Sequence, residues 1–395
     1  MQILLHGFLG LPVWAYFLVV ALMVHFTIMS VTLYLHRTAT HRGLDMHPLV
    51  SHVMRAWLWL STGMLTKEWV AVHRKHHAVC ETPEDPHSPK HKGLMKVVLE
   101  GAELYREEAK NPETLEKYGR GTPEDWVENR IYTAHGKLGV ALMLIADVAL
   151  FGIPGITIWA VQMMAIPFFA AGVVNGIGHF YGYRNFECKD AATNVLPWGV
   201  ILGGEELHNN HHAFPSSAKF ALRSFEFDIG WWYIKGLKAL GLVKVRRVAP
   251  TPVMDEDGQV GLDTVEAVIL NRLHVLRHYG RNVIVPAYKQ EKRSACAMRN
   301  RLLAGTRKLM IRDRGLLKPT EQRRLRLALA RSQALDTVYE FRVKLEKLWD
   351  DNAQSNDTLL HAFKQWCHEA EQSGIASLKE FAAHLRSYRM QTATA

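Results

Sequence analysis

Residues 73–77 read HRKHH, three histidines in five positions, and the spacing returns as HNNHH at residues 208–212. On a helix, positions i, i+3 and i+4 share one face. Each HxxHH box can therefore aim its imidazoles at a common point. Protonated, so crowded a set repels itself; neutral, it has little to gain on an ordinary surface. A metal ion removes both objections, because coordination takes neutral imidazole and the cation offsets the crowding.

Two further pieces extend the set. HRTATH, residues 36–41, supplies His36 and His41, and NGIGH, residues 175–179, places Asn175 and His179 one turn apart. An i, i+5 pair is rotated by roughly 140° on an ideal α-helix. His36 and His41 are thus expected to converge only if the first apolar helix ends between them. Nine nitrogen donors exceed what one ion takes, so two metals are implied. Imidazole suits iron, zinc, copper or nickel. The HExxH of zincins is absent, and no box has the Glu-x-x-His form of carboxylate di-iron bundles. A nitrogen-rich pair at a membrane surface fits redox iron and O₂.

The membrane reading comes from the apolar runs. Residues 11–35 carry no charge, and a helix of that length spans the ~30 Å hydrocarbon core with some tilt. No basic n-region or small-residue cleavage site marks it as a signal peptide. Arg37 and Arg42 follow at once, placing the exit end in the cytoplasm by the positive-inside rule. Residues 48–66 are apolar but interrupted by His52 and Arg55, as in a helix lying in the interface. Between residues 138 and 178 Asp147 is the only formal charge. GIPG, residues 152–155, divides that stretch into two crossings, at about 136–153 and 156–178. About three transmembrane helices result, and the cytoplasmic stretches 36–130 and 179–395 carry every histidine cluster.

A linker, APTPVMDEDGQVG, begins near residue 249 and separates a membrane domain, 1–248, from a helical C-terminal region, 249–395. Helical patterns lie near 263–279, 290–311, 320–332, 334–350, 357–373 and 376–388, with Thr320 as an expected N-cap. Residues 272–331 hold 17 Lys/Arg against three acids, a net +14 that exceeds the +10 of the whole chain. Such a patch suits an anionic membrane face, a phosphorylated ligand or nucleic acid. The four cysteines form no CxxC pair, which argues against a disulfide framework and fits a reducing compartment.

HRTATHRG, EWVAVHRKHH followed by CETPEDPHSP, NGIGHFYG and GEELHNNHHAFP together resemble the membrane fatty acid desaturases, most closely the acyl-CoA Δ9 (stearoyl-CoA-type) branch in its bacterial form. The resemblance covers roughly residues 30–232. It implies an all-α integral membrane protein whose cytoplasmic helical cap holds a di-iron centre on His36, His41, His73, His76, His77, His179, His208, His211 and His212. It further implies Asn175 contacting the centre through water and Glu205 orienting ligands from behind. The implied reaction removes two hydrogens from an unactivated methylene pair, which side-chain acids and bases cannot do. It takes O₂ and two external electrons and leaves a cis double bond. Trp69 and Tyr181 are candidate tunnel or cap residues. Arg74 and Lys75 are expected to face outward, towards phosphates or lipid head groups.

One crossing precedes the first box where eukaryotic relatives have a pair, and no cytochrome b5 HPGG motif is present. Electrons are therefore expected from a separate ferredoxin-, rubredoxin- or cytochrome b5-type carrier with its reductase. The basic C-terminal region is similar to the helical tail of some insertion-sequence transposases; as a fragment it could dock protein, membrane or CoA phosphates, and nucleic acid is not an expected partner. Acyl chains on phospholipid, or alkyl hydroxylation, fit the same boxes. A metal transporter fits them poorly, because transporters hold ligands near the bilayer midplane and these boxes lie beyond the apolar spans. The location that follows is a bacterial cytoplasmic membrane.

Overall fold

The computed structural model describes residues 2–255, 259–294, 303–350 and 355–390. They divide into two compact units, residues 1–184 with 190–249, and residues 185–189 with 250–395.

In the first unit the uncharged stretch after Pro12 forms α1, Val13–Ser30, which winds on unbroken through a wider π-helical segment, Val31–Thr40. Thr27 and Ser30 turn their hydroxyls back onto the carbonyls of Met23 and Phe26, so these polar groups are satisfied within the helix. The expected interfacial helix is α2, Pro48–Thr62, ended by Gly63 at φ 66°. The second histidine box rides on its own helix, α3, Thr66–Ala78. The polar stretch after it contains α4, Leu94–Glu108.

The apolar hairpin is α5, Gly136–Phe151, and α6, Ile153–Ile166. Gly152 turns the chain between them at φ 68°, which costs glycine no Cβ clash. Asp147 is buried there and accepts a 3.0 Å hydrogen bond from Gln162 on the facing helix. From α6 the chain continues through a second π-helical segment, Pro167–Gly176, and a 3-10 turn, Ile177–His179. α4 lies so close along it that a Cβ on Gly101 would stand 2.7 Å from Cβ of Ala171.

Two helices among the described residues are long and apolar enough to cross a membrane, Val13–Thr40 and Ile153–His179. The third expected crossing, α5, has 16 residues and reaches about 24 Å, short of a ~30 Å core.

The segment following the third box is tied back to the first. Leu44–Met46 pairs antiparallel with Val243–Val245, and Trp198–Gly199 pairs parallel with Phe227–Asp228. Beside His36, the buried Arg37 donates to both carboxylate oxygens of Asp228 at 3.0 and 3.2 Å and to the carbonyls of Gly203 and Ala218. Its guanidinium also lies 3.8 Å over the Phe220 ring.

The second unit is a helical bundle with its own core, which includes Tyr279, Phe363, Trp366 and Phe381. Its helices include Leu262–Leu270, Arg272–Tyr279, Pro319–Leu329, Gln333–Asp350, Asn356–Gln372 and Ala376–Arg386. Where a break was expected near 280–289, a π-helical turn, Gly280–Ile284, carries the chain into Val285–Ser294. Residues 295–302 of the helix expected at 290–311 lie outside the described residues. The N-cap expected at Thr320 is Lys318 instead: Pro319 fits the first helical position, and Glu321 reaches back to the Lys318 backbone N–H at 2.8 Å. The pair Val253–Met254 and Tyr388–Arg389 closes the unit.

Candidate metal centre

The histidines fall into two groups. His36, His41, His73, His77 and His211 bring one ring nitrogen each within 4.8 Å of one another; His76, His179, His208 and His212 do the same. The boxes therefore do not each aim at a single point. In both, the i, i+4 pair goes to one group and the i+3 residue to the other: His73 and His77 against His76, then His208 and His212 against His211. A face shared by i and i+4 narrows at i+3, which lies on the opposite side of the i position.

His36 lies inside the π-helical segment and His41 caps it, so the helix does end between them as expected. At the end of the π-helical segment the amide of His41 bonds the carbonyl of His36 at 3.1 Å. This i+5→i bond places the two residues one wide turn apart, with ring centroids 4.9 Å apart.

The donor chemistry fits cations. Nδ1 of His36 faces Glu205 at 2.6 Å, His76 faces Asp85 at 3.0 Å, His179 faces Glu81 at 3.1 Å and His212 faces Asp190 at 3.2 Å. A neutral imidazole has one N–H, so with it given to a carboxylate these four rings present bare lone pairs at Nε2. Yet Nε2 of His36 lies 3.0 Å from Nε2 of His211, and Nε2 of His211 lies 3.0 Å from that of His77. His77 and His73 are 3.1 Å apart, His73 and His41 3.2 Å, and His179 and His208 3.0 Å, all Nε2 to Nε2. Nitrogens about 2.1 Å from a shared ion and at right angles sit about 3.0 Å apart. Nε2 of His212 is buried with no hydrogen-bond partner. Burial first, then the neighbouring imidazoles, holds His41, His73, His77, His208, His211 and His212 well below the usual histidine range, in the neutral form that ligation requires.

A cavity of about 490 Å³ opens onto this centre at His36, His73 and His208 and extends to Val140, Trp159 and Met163. That volume lies within the range of small-molecule sites. Trp69 lines it and stacks on His73 at 4.8 Å, and Asn175 and Glu205 line it too. Tyr181 is 63 % exposed and is not among the lining residues. Arg74 and Lys75 do not face outward as expected. Arg74 donates to the carbonyls of Ala39, Thr40, Tyr118 and Arg120, and Lys75 to Glu108 and Thr114, because the end of the π segment, the end of the Pro112–Tyr118 helix and the Glu108 carboxylate offer acceptors within reach. Glu81, Asp85 and Asp190 escaped the sequence reading, although two of them stand in the quoted CETPEDPHSP. His87, in the same stretch, is buried beside them, with its ring 4.3 Å from that of His76.

Residues 264–395 match a family model described as Transposase. The sn-1 stearoyl-lipid 9-desaturase of a Synechocystis strain is 29 % identical over 230 residues, 57 % of this chain and 69 % of that protein. The Delta-9 acyl-lipid desaturase 2 of Arabidopsis thaliana is 28 % identical over 221 residues, 54 % of this chain and 69 % of its own length. The icosanoyl-CoA 5-desaturase of Limnanthes douglasii is 29 % identical over 226 residues, 54 % and 60 %. Residues 12–234 match the model described as Fatty acid desaturase; covering more than half of the chain, that match makes the protein a member of the fatty acid desaturase family, an oxidoreductase acting on fatty acyl chains.

Proposed function

We propose that the protein introduces a cis-9 double bond into a saturated acyl chain carried by coenzyme A, using O₂ and electrons from a separate carrier and its reductase. One observation carries the reading: nine imidazoles converge in two groups at one end of a cavity that is elsewhere lined largely by apolar side chains. Two irons, held by the five- and four-histidine groups, would supply O₂ activation and hydrogen removal from the chain. The residues do the rest. Met163, Ile166, Val174 and Ala171 line a narrow slot that holds methylenes and excludes water. Trp69, stacked on His73, fixes the wall beside the reacting carbons. Glu205 keeps the His36 proton on Nδ1 and so keeps Nε2 free to ligate. Asn175, in the cavity wall one turn before His179, offers a polar anchor for a water at the centre.

In this reading the 1–248 domain crosses a bacterial cytoplasmic membrane three times, with α5 and α6 as a hairpin whose short first limb is met by local thinning of the bilayer, and the histidines on the cytoplasmic side. The 249–395 region lies in the cytoplasm. A second reading, desaturation of chains esterified to membrane lipid, is favoured by the acyl-lipid activities for which the Synechocystis and Arabidopsis relatives are named and by the internal engagement of Arg74 and Lys75. The test is expression with iron and a reductase–carrier pair, followed by fatty acid analysis. New cis-9 monoenes that vanish in His76→Ala support the function. Unchanged fatty acids in a protein holding both irons overturn it. Supplying the chain as acyl-CoA or as phospholipid separates the two carriers.

A further inference from the structure

We propose that the two metal positions are unequal by construction, with Glu81, Asp85 and Asp190 as positioning residues that make the four-histidine position hold its iron more tightly and favour the ferric state. The inference rests on the di-iron reading above.

The asymmetry lies in what stands behind the ligands. In the four-histidine group three rings turn Nδ1 to a buried or largely buried carboxylate: His76 to Asp85, His179 to Glu81 and His212 to Asp190. In the five-histidine group only His36 does, to Glu205. Among the described residues no carboxylate lies on His41, His73 or His77, and Nδ1 of His211 is buried without a partner. A carboxylate accepting the Nδ1 proton raises the basicity of the opposite nitrogen and fixes the ring. Three negative charges around one ion and one around the other also differ in how well they stabilise a higher metal charge, most of all where water is excluded.

Glu81 and Asp85 are held in place by the loop between α3 and α4. Asp85 accepts from the backbone N–H groups of Glu81 and His87 at 3.0 and 3.1 Å. Glu81 accepts from Ser88 Oγ at 2.9 Å, and its own backbone takes φ 62°, a left-handed conformation uncommon for glutamate. The stretch CETPEDPHSP is thus the outer wall of one metal position.

The experiment uses the iron-loaded full-length protein in detergent. Metal analysis comes first: fewer than two irons per chain overturns the di-iron reading, and this inference with it. With two irons present, release into excess chelator is followed by stopped flow. Two phases are expected. Asp85→Asn and Asp190→Asn should each accelerate the slow phase about 10–100-fold, the usual effect of losing such a partner, and leave the fast phase unchanged. Glu205→Gln should accelerate the fast phase alone. Mössbauer spectra should show one quadrupole doublet altered by the aspartate variants and the other by Glu205→Gln. A single release phase in the two-iron wild type overturns the proposal. So do aspartate variants that move the fast phase, or both phases equally, as loosened folding would. Asp85 and Asp190 stand on separate loops, so misfolding of one variant leaves the other to decide.

Discussion

His76 and His211 occupy the same place in their boxes, and each joins the metal group to which its two box-mates do not belong. Neither position can be completed by one box. α3 and the 208–213 helix must both be docked before either set of donors closes. Replacing His211 with alanine should therefore lower iron content by more than a one-in-nine share, since it removes the donor that lies 3.0 Å from both His36 and His77 in the five-histidine position. Iron-to-protein ratio and desaturated product, measured on the same preparation, check this; full iron with full activity would refute it.

Arg37 and Asp228 form a buried ion pair next to the first box, and Asp228 also accepts from the amides of Phe220 and Trp231. Removing one member leaves an uncompensated buried charge, which costs about 3–5 kcal/mol. Asp228→Ala should lower the unfolding midpoint in detergent markedly, and Arg37→Met with Asp228→Leu together should cost less than the sum of the two singles. Thermal denaturation of the three variants measures the coupling.

Arg74 should behave as a strut. Its bonds run to four backbone carbonyls. Arg74→Ala is expected to reduce iron retention and thermal stability while leaving the apparent KM for acyl-CoA within a factor of about two of wild type. A large rise in KM with full iron content would restore the phosphate-binding role that the HRKHH pattern first suggests.

The second unit carries its own pH response. Burial, then the stacked ring of His384, then Arg277 and Arg281, push His278 down to about 4. The unfolded chain takes up this proton near pH 6.5, where the folded unit refuses it. Stability present above pH 6.5 is therefore lost progressively between 6.5 and about 4. Hydrogen exchange of the Arg272–Tyr279 helix, corrected for intrinsic rates, should speed up over that window, and His278→Phe should flatten the response.

The converging histidines were legible in the sequence because histidine spacing is a local signal, and the two apolar runs 11–35 and 156–178 were legible by length and lack of charge. Their division between two positions was not, since it depends on how α3 and the 208–213 helix cross in space. The π-helical segment that unites His36 with His41 leaves no composition signal either. Glu81, Asp85 and Asp190 look like ordinary polar loop residues until their imidazole partners are seen. Arg74 and Lys75 misled for the converse reason: cations beside a ligand box suggest anions outside, whereas the nearest acceptors lie within the protein, backbone carbonyls for Arg74 and the Glu108 carboxylate and Thr114 hydroxyl for Lys75.

Trp159 is expected to limit the length of chain that the cavity accepts. It lies 16 residues before Asn175 on the continuous helix from Ile153 to His179, about 24 Å along the axis. Both residues line the same cavity. An acyl chain reaching from the histidines towards α5 and α6 would meet the indole, which is held in place by its Nε1 hydrogen bond to the carbonyl of Val140 at 3.1 Å. Trp159→Ala should shift products towards longer chains, and Val140→Trp towards shorter ones, with the double-bond position counted from the carboxyl end unchanged, because Trp69 and the histidines are untouched. Competition among saturated substrates of graded length, read by gas chromatography, tests it. An unchanged length profile in both variants would place the end of the channel elsewhere among the lining residues.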